Sequence, residues 1–217
     1  TCLIERSFSK IPWSNFGITN SNINYINRPS NFYINQKNAL QTAFRIGRLL
    51  PGNAHEDFFG LKILITLLGG YFGSRLMTNI REEKGYTYGI GSFIIAGRFC
   101  SELHIVTEVG SSYTKQVFEE IIKEIDSLIN QKVSVTELNK VKSYLLGSIL
   151  HNCNGVFNQS AVFRDLNKHN NSFEFIENFI SVINTINVEQ IQFLAQKYLR
   201  IKDISFVACG PPEQKLW

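Results

Sequence analysis

An arginine and a tyrosine seven positions apart, Arg81 and Tyr88, are the residues whose types and spacing best suit chemistry. They lie in the segment GGYFGSRLMTNIREEKGYTYGIGS, residues 69–92. A guanidinium has a permanent positive charge and five N–H donors, and a phenol hydroxyl is a short, directional donor. Together they suit binding of a peptide carbonyl oxygen, or of an oxyanion that forms from it. The alternative from the residues alone is that Arg81 pairs with a nearby carboxylate and Tyr88 packs in a sheet.

For these two side chains to meet, a helix must end near Arg81 and a strand must begin near Tyr88. An apolar helix is predicted over residues 56–68, ended by the Gly-Gly pair that follows it. A short second helix then starts with Ser74 as its N-cap, and Gly85 supplies a left-handed C-terminal cap. The sharp turn after this cap folds the chain back, so that guanidinium and phenol can face one cleft.

The rest of the chain predicts the domain that surrounds this turn. Strands are indicated by alternating or continuous apolar residues bounded by glycine or proline. They lie at residues 38–51, 86–97, 98–110 and 203–210. Helices with an apolar stripe follow residue 110, with N-caps at Ser134 and Asn187. Strands clustered early, helices clustered late and one returning strand indicate an α+β fold, a mainly antiparallel sheet with helices packed on one face.

The domain organisation is simple. Residues 1–30, rich in Asn and Ser and broken by Pro12 and Pro29, predict an irregular lead-in, and residues 31–217 predict one domain. No apolar run reaches the roughly 18 residues that indicate a membrane span. Because the first residue is Thr1 and no signal segment follows it, we expect the chain to be a processed or excised piece of a longer protein.

Charge and cysteine content argue against two kinds of site. The net charge is +4, and the run of four charges at residues 81–84 cancels, so no nucleic-acid partner is predicted. The cysteines are far apart in sequence, without a Cys-x-x-Cys pair, so no structural zinc site is predicted. This scatter is typical of buried free thiols, at Cys2, Cys100, Cys153 and Cys209. The redox compartment stays open.

The histidines do not form a metal motif. His55, His104, His151 and His169 are isolated, and the sequence HEDFF at His55 ends in Phe59 where a zinc motif needs a second histidine. No Gly-x-Ser-x-Gly nucleophile elbow and no phosphate-binding loop are present. We therefore predict no catalytic metal or cofactor in this chain.

The order of motifs in the chain resembles that of a known family. Gly-Gly, Ser-Arg-Leu, a short helix and then Arg-Glu-x-Lys-Gly-x-x-Tyr is similar to the second-half signature of the inverted zinc peptidases. That family includes pitrilysin, insulin-degrading enzyme, the mitochondrial processing peptidase and their bacterial relatives. The resemblance runs from about Gln41 to Cys209, nearly one whole repeat of the family, and implies the same α+β fold.

The resemblance also implies a function. Such peptidases have two similar halves, of which the first binds zinc and the second supplies an Arg and a Tyr that hold the peptide near the scissile bond. Those positions fall on Arg81 and Tyr88. Tyr86 stands where a Leu is common, so its hydroxyl is an alternative substrate-binding donor.

By this resemblance the chain is the C-terminal, non-zinc half of a bacterial-type member. Zinc is then expected in the complementary half, whether an upstream domain or a separate subunit, and the chain alone is expected to be inactive. The substrate is expected to be an unstructured peptide, bound extended along a sheet edge. The alternative is a non-catalytic structural homologue, like the core subunits of respiratory complexes. The bacterial periplasm and the cytoplasm both stay open as the location of a soluble protein.

Overall fold

A five-stranded sheet, ordered β1-β5-β2-β4-β3, forms one layer of the described part of the chain. This computed structural model describes residues 2–9, 26–168, 171–212 and 216–217. The strands are β1 Asn31–Asn35, β2 Gln41–Pro51, β3 Thr87–Ile95, β4 Cys100–Gly110 and β5 Ser205–Gly210. Every pairing is antiparallel except that of β1 with β5. The predicted mainly antiparallel sheet is confirmed.

One face of the sheet is covered because its strands alternate in polarity. In β4, Leu103, Ile105 and Val109 are at most 1% exposed, whereas Glu102 and Glu108, each next to one of them, are exposed. Side chains of a strand point alternately to opposite faces, so this pattern places one apolar face against a second layer. Helices form that layer, and the α+β prediction is confirmed.

The helices carry the apolar stripes that the sequence predicts. The α-helices are α1 Cys2–Phe8, α2 Phe58–Ile65, α3 Thr114–Asn130, α4 Val135–Asn152, α5 Val156–Lys168, α6 Glu174–Thr185 and α7 Val188–Tyr198. The described residues also include π-helical segments at Thr66–Gly70, directly after α2, and at Met77–Glu83. The predicted N-caps are confirmed, since Ser134 accepts from the Glu137 N–H and Asn187 forms a full capping box with Gln190.

The start of the chain differs from the predicted irregular lead-in. Residues 2–8 form α1, and β1 at residues 31–35 was not predicted as a strand. Four of the five β1 residues are exposed, so the apolar alternation that reveals a strand is weak there. Residues 10–25 lie outside the described residues, and the boundary at residue 31 stays a prediction.

The cysteines are free where the structure describes them. Cys100, Cys153 and Cys209 form no disulfide, as expected for free thiols. The sequence pattern predicts that they are buried, but each is only half-buried. The prediction for Cys2 lies outside the described side chains. Among the described helices, none is both long enough and apolar enough to cross a membrane.

Asp57 connects the start of α2 to the end of α7. Its carboxylate accepts hydrogen bonds from Lys197 Nζ at 2.7 Å and from the Tyr198 hydroxyl at 2.6 Å, and its side chain is 16% exposed. Burial alone would raise the pKa of this carboxyl, but the two hydrogen bonds outweigh burial and the pKa is lowered.

We expect Asp57→Asn to lower the free energy of unfolding by about 1–3 kcal/mol at neutral pH, because a charge-assisted pair is lost. A carboxyl whose pKa is lower in the folded state stabilises the fold above its unfolded pKa of about 4. That stabilisation is lost as the pH falls through the folded pKa. Urea unfolding of both proteins at several pH values should therefore show the gap closing in acid. The exposed Asp126→Asn is the control, and a gap that does not change with pH would contradict this assignment.

Candidate functional site

Arg81 lies in the last turn of the π-helix Met77–Glu83 and is half-buried. Its Nε donates a hydrogen bond to the backbone carbonyl of Tyr88 at 2.9 Å, and its guanidinium stands 4.6 Å from the centre of the Phe72 ring. No carboxylate of the described residues lies within ion-pair distance of it. The alternative that Arg81 pairs with a carboxylate is therefore wrong.

The turn between the two residues forms around Gly85. This glycine has φ +65°, the left-handed conformation that favours glycine. The Lys84 N–H donates to Asn79 O at 3.2 Å and the Tyr86 N–H donates to Ile80 O at 3.0 Å, which ends the π-helix just before β3. The predicted Gly85 cap is confirmed.

Ser74 directly precedes the short helix, as predicted for an N-cap, but its side chain does not cap it. Ser74 is 1% exposed, and its hydroxyl has no hydrogen-bond partner among the described residues. Its carbonyl still accepts the first helical hydrogen bond, from the Thr78 N–H at 2.9 Å. The neighbouring Arg75 anchors this segment, through a bidentate pair with Glu137 at 2.7 and 3.0 Å.

Tyr88 is presented by a bulge at the start of β3. Thr87 pairs with Val109 and Ile90 pairs with Thr107, so β3 has one more residue than β4 between these two pairs. The Thr107 hydroxyl donates to Gly89 O at 2.9 Å and fixes the bulge. The Tyr88 side chain is 94% exposed, so the alternative that it packs in the sheet is wrong.

The two tyrosines differ in their surroundings. The Tyr86 ring is half-buried and stacks on Tyr113, with ring centres 4.8 Å apart and planes 20° apart. Tyr86 also packs against the core, whereas the Tyr88 ring extends into solvent. Both phenols remain within the same short segment, but Tyr88 is the more accessible of the two.

A shallow depression lies beside Tyr88. Its volume is about 310 Å³, and residues of β2, β3 and β4 line it: Gln41, Arg45, Thr87, Tyr88, Gly89, Val106, Thr107 and Glu108. Arg45 and Glu108 approach to 3.6 Å across it, and both side chains are more than half exposed, so this pair contributes little to stability. Arg81 does not line the depression, and its contact with Tyr88 is to the backbone carbonyl, so this depression does not bring guanidinium and phenol together as expected.

The charges around Arg81 are unequally satisfied. Lys84 forms an ion pair with Glu120, and the hydrogen bond from Lys84 lowers the pKa of the Glu120 carboxyl. Asn79 donates to both Glu120 and Glu124, at 2.9 and 2.6 Å. Arg81 instead donates to a neutral backbone carbonyl, so no described carboxylate neutralises its positive charge.

Phe72 is the residue that sequence reasoning missed. It is 60% exposed, in a tight turn before Gly73, and its ring supports the Arg81 guanidinium. A cation over an aromatic face is attracted by the ring quadrupole. The sequence signal for it was an aromatic residue close to glycines on both sides, at Gly70 and Gly73. Hydrophobic periodicity assigns no role to such a residue.

The described residues contain no group of three or more His, Cys, Asp or Glu that could hold a metal ion. His104 contacts Glu102 at 2.9 Å and stacks on Phe93, while His55 accepts from the Asp57 N–H. The part of the prediction that concerns His169 lies outside the described residues.

Comparison with known proteins places the chain in a family. The sequence model described as "Peptidase M16 inactive domain" matches residues 2–145. "Uncharacterized zinc protease YmxG" of Bacillus subtilis is 26% identical over 163 residues, which cover 72% of this chain and 38% of that protein. "Non-peptidase homolog YmxG" of Helicobacter pylori is 28% identical over 163 residues, covering 70% and 35%. The chain thus spans well under half the length of these relatives.

Solved structures share the fold. A peptidase M16 inactive domain from Pseudomonas fluorescens has a TM-score of 0.76 at 21% identity and covers 87% of this chain and 45% of that one. A chain of "Complex III2 from Candida albicans" has a TM-score of 0.70 at 12% identity, over 84% and 46%. Because the family match spans more than half of the sequence, the chain belongs to the peptidase M16 inactive-domain family, within the zinc protease group that its motifs resemble.

Proposed function

We propose that this chain is the substrate-binding half of a zinc-dependent metalloendopeptidase, in which Arg81 and Tyr88 hold the peptide near the scissile bond. The observation that carries the proposal is the position of the Arg81 guanidinium. It is fixed to the first residues of the edge strand β3 by the 2.9 Å bond to Tyr88 O, next to a 94% exposed phenol and without a carboxylate partner among the described residues.

We infer that Arg81 and Tyr88 serve as two kinds of donor for a bound peptide, while their own contact is through the Tyr88 backbone carbonyl. The Nε–H of Arg81 is used by the Tyr88 carbonyl, so the two Nη groups remain for a ligand in the described part of the chain. Phe72 limits the rotation of the guanidinium plane, and the bulge directs Tyr88 away from the core. Donors that are already oriented stabilise a developing oxyanion without reorganisation at the moment of reaction.

The chemical step needs a metal, and the described residues offer no group of side chains that could hold one. Zinc would be held by the complementary half and would supply the Lewis acid that activates water there. Arg81 and Tyr88 then act as positioning and oxyanion-binding groups for an extended, unstructured peptide that lies along the sheet edge. Tyr86, whose ring is packed on Tyr113, is the second choice as the phenol donor.

A structural, non-catalytic role is the second candidate. Two observations favour it: the fold is shared with a chain of Complex III2, and one relative is named a non-peptidase homologue. The two candidates differ in the complementary half. An intact His-x-x-Glu-His motif there supports the peptidase, and its loss supports the structural role.

We expect the isolated 217-residue chain to bind no zinc at submicromolar affinity and to cleave no unstructured peptide. Mixed with its complementary half, it should restore cleavage that a chelator abolishes. Atomic absorption measures the bound zinc, and a quenched fluorescent peptide measures the cleavage. Chelator-sensitive cleavage by the isolated chain would contradict the proposal, and an assembly with an intact zinc motif but no activity would favour the structural role.

A further inference from the structure

A second cavity lies within the helical layer and shares no residue with the depression at Tyr88. Its volume is about 240 Å³, and it opens between α2, the end of α4, α5 and α6. Its walls are mostly apolar and aromatic, from Phe58, Ile149, Val162, Leu166, Phe175, Ile176 and Phe179. Phe59 and Phe175 pack edge-to-face beside it, with ring centres 4.7 Å apart. Ligand sites are typically cavities of this kind, apolar with a few polar groups.

Lys62 is the positively charged residue that lines this cavity, and it is the one charged residue of the otherwise apolar α2. Its Nζ lies 4.6 Å from the centre of the Phe179 ring and 6.0 Å from that of Phe58. Burial lowers the pKa of the ammonium. Lys62 is partly buried, and among the described residues it forms no ion pair, so its nearest described partners are the two ring faces.

The other polar residues of the cavity do not neutralise Lys62. Asp165 lines the cavity, but its side chain is 66% exposed and its carboxylate contacts Arg164 at 3.3 Å. The remaining polar lining is neutral, from Asn53, Asn152, Asn171 and the free thiol of Cys153. The cavity therefore combines apolar walls with one positive charge that no described carboxylate pairs with.

We propose that this cavity binds a small amphipathic carboxylate, an aliphatic acid of medium length, with its carboxylate on the Lys62 ammonium and its chain among the phenylalanine rings. An ammonium withdrawn from water gains most from a hydrogen-bonded anion. A cationic ligand is repelled, and a neutral one leaves the charge unpaired. An apolar cavity of about 150 Å³ holds a benzene ring, so this one has room for a chain slightly longer than six carbons.

Octanoate is the probe, titrated into the 217-residue chain by calorimetry at neutral pH beside octanol and octylamine. We expect octanoate to bind at least about tenfold more tightly than octanol, as a charge-assisted hydrogen bond provides. Octylamine should not bind measurably. This three-ligand comparison needs no variant, and octanoate that binds no better than octanol would overturn the proposal.

The variant Lys62→Met removes the charge but keeps the length and apolar stem of the side chain. Octanoate should then bind at least about tenfold more weakly, whereas octanol should bind equally well or better. Far-UV circular dichroism establishes that the variant is folded. An octanoate affinity that is unchanged in folded Lys62→Met would show that the carboxylate binds elsewhere and would refute the proposed site.

Discussion

Replacing Arg81 with alanine in the complete assembly should lower kcat/KM for an unstructured peptide by about 10²–10³-fold, with zinc content unchanged. The reason is that, in the proposed function, the guanidinium binds the substrate and takes no part in holding the metal. Its Nε also donates to the Tyr88 carbonyl at the start of β3. The variant therefore loses the proposed donor to the substrate and the hydrogen bond that holds the Tyr88 backbone. Peptide cleavage and atomic absorption on the same preparation measure the two quantities.

The matched control for this variant is Arg98→Ala. Like Arg81, Arg98 has its guanidinium over an exposed phenylalanine, at 5.4 Å from the Phe99 ring. Arg98 is exposed, whereas Arg81 is half-buried, and it lies at the hairpin end of β3. Its removal should leave kcat/KM within about twofold, since it is remote from the Tyr88 end of the strand. In the same assay Tyr88→Phe and Tyr86→Phe decide which phenol donates. Equal activity of Arg81→Ala and Arg98→Ala would refute the proposed role.

Elements with strong periodicity could be predicted from the sequence. The α3 stripe of Val117, Ile121 and Ile125 is fully buried, and the alternation of β4 faces its apolar residues to the helices. A helical or strand period is a local property, so one sequence reveals it. The β1–β5 pairing could not be predicted, because β1 is short and exposed and its partner lies about 175 residues later in the chain.

The turn that brings Arg81 to the start of β3 could be predicted, but the contacts of Arg81 could not. Spacing and the Gly85 turn brought Arg81 next to the start of β3, as expected. The acceptor of its hydrogen bond, the Tyr88 backbone carbonyl, depends on a bulge that adds one residue to β3. The support from Phe72 depends on a turn that has no period. Both are tertiary features, which side-chain type and spacing do not determine.

The glycine pair Gly69-Gly70 ends the helical segment as predicted, but not through a left-handed cap. Gly69 and Gly70 do end the helical segment, at Gly70. However, the described glycines with left-handed φ are Gly85 and Gly155. Gly69 is needed for space, because a Cβ there would stand 2.7 Å from Ser92 N in the neighbouring strand. The close approach lets the buried Ser92 hydroxyl donate to Ile65 O at 2.8 Å.

We expect Gly69→Ala to lower the free energy of unfolding by about 3 kcal/mol and the Tm by about 10 °C. The added methyl meets backbone and must push β3 away from the π-helical turn, which breaks the Ser92 bond to Ile65 O. Helix propensity alone predicts the opposite sign, a gain of up to about 1 kcal/mol, so the measurement separates steric from conformational causes.

The control for that measurement is Gly91→Ala, one residue from the same contact. A Cβ at position 91 has only an ordinary contact, 3.6 Å from Gly69 O, so stability should stay within about 0.5 kcal/mol of the parent chain. Urea and thermal unfolding of the three proteins give both quantities. Since β3 carries Tyr88, Gly69→Ala should also weaken peptide binding by the assembly, whereas Gly91→Ala should not. A Gly69→Ala chain as stable as Gly91→Ala would mean that the π-helical turn and β3 are not in close contact at Ser92. The contact at Ser92 would then not be what holds β3 in place.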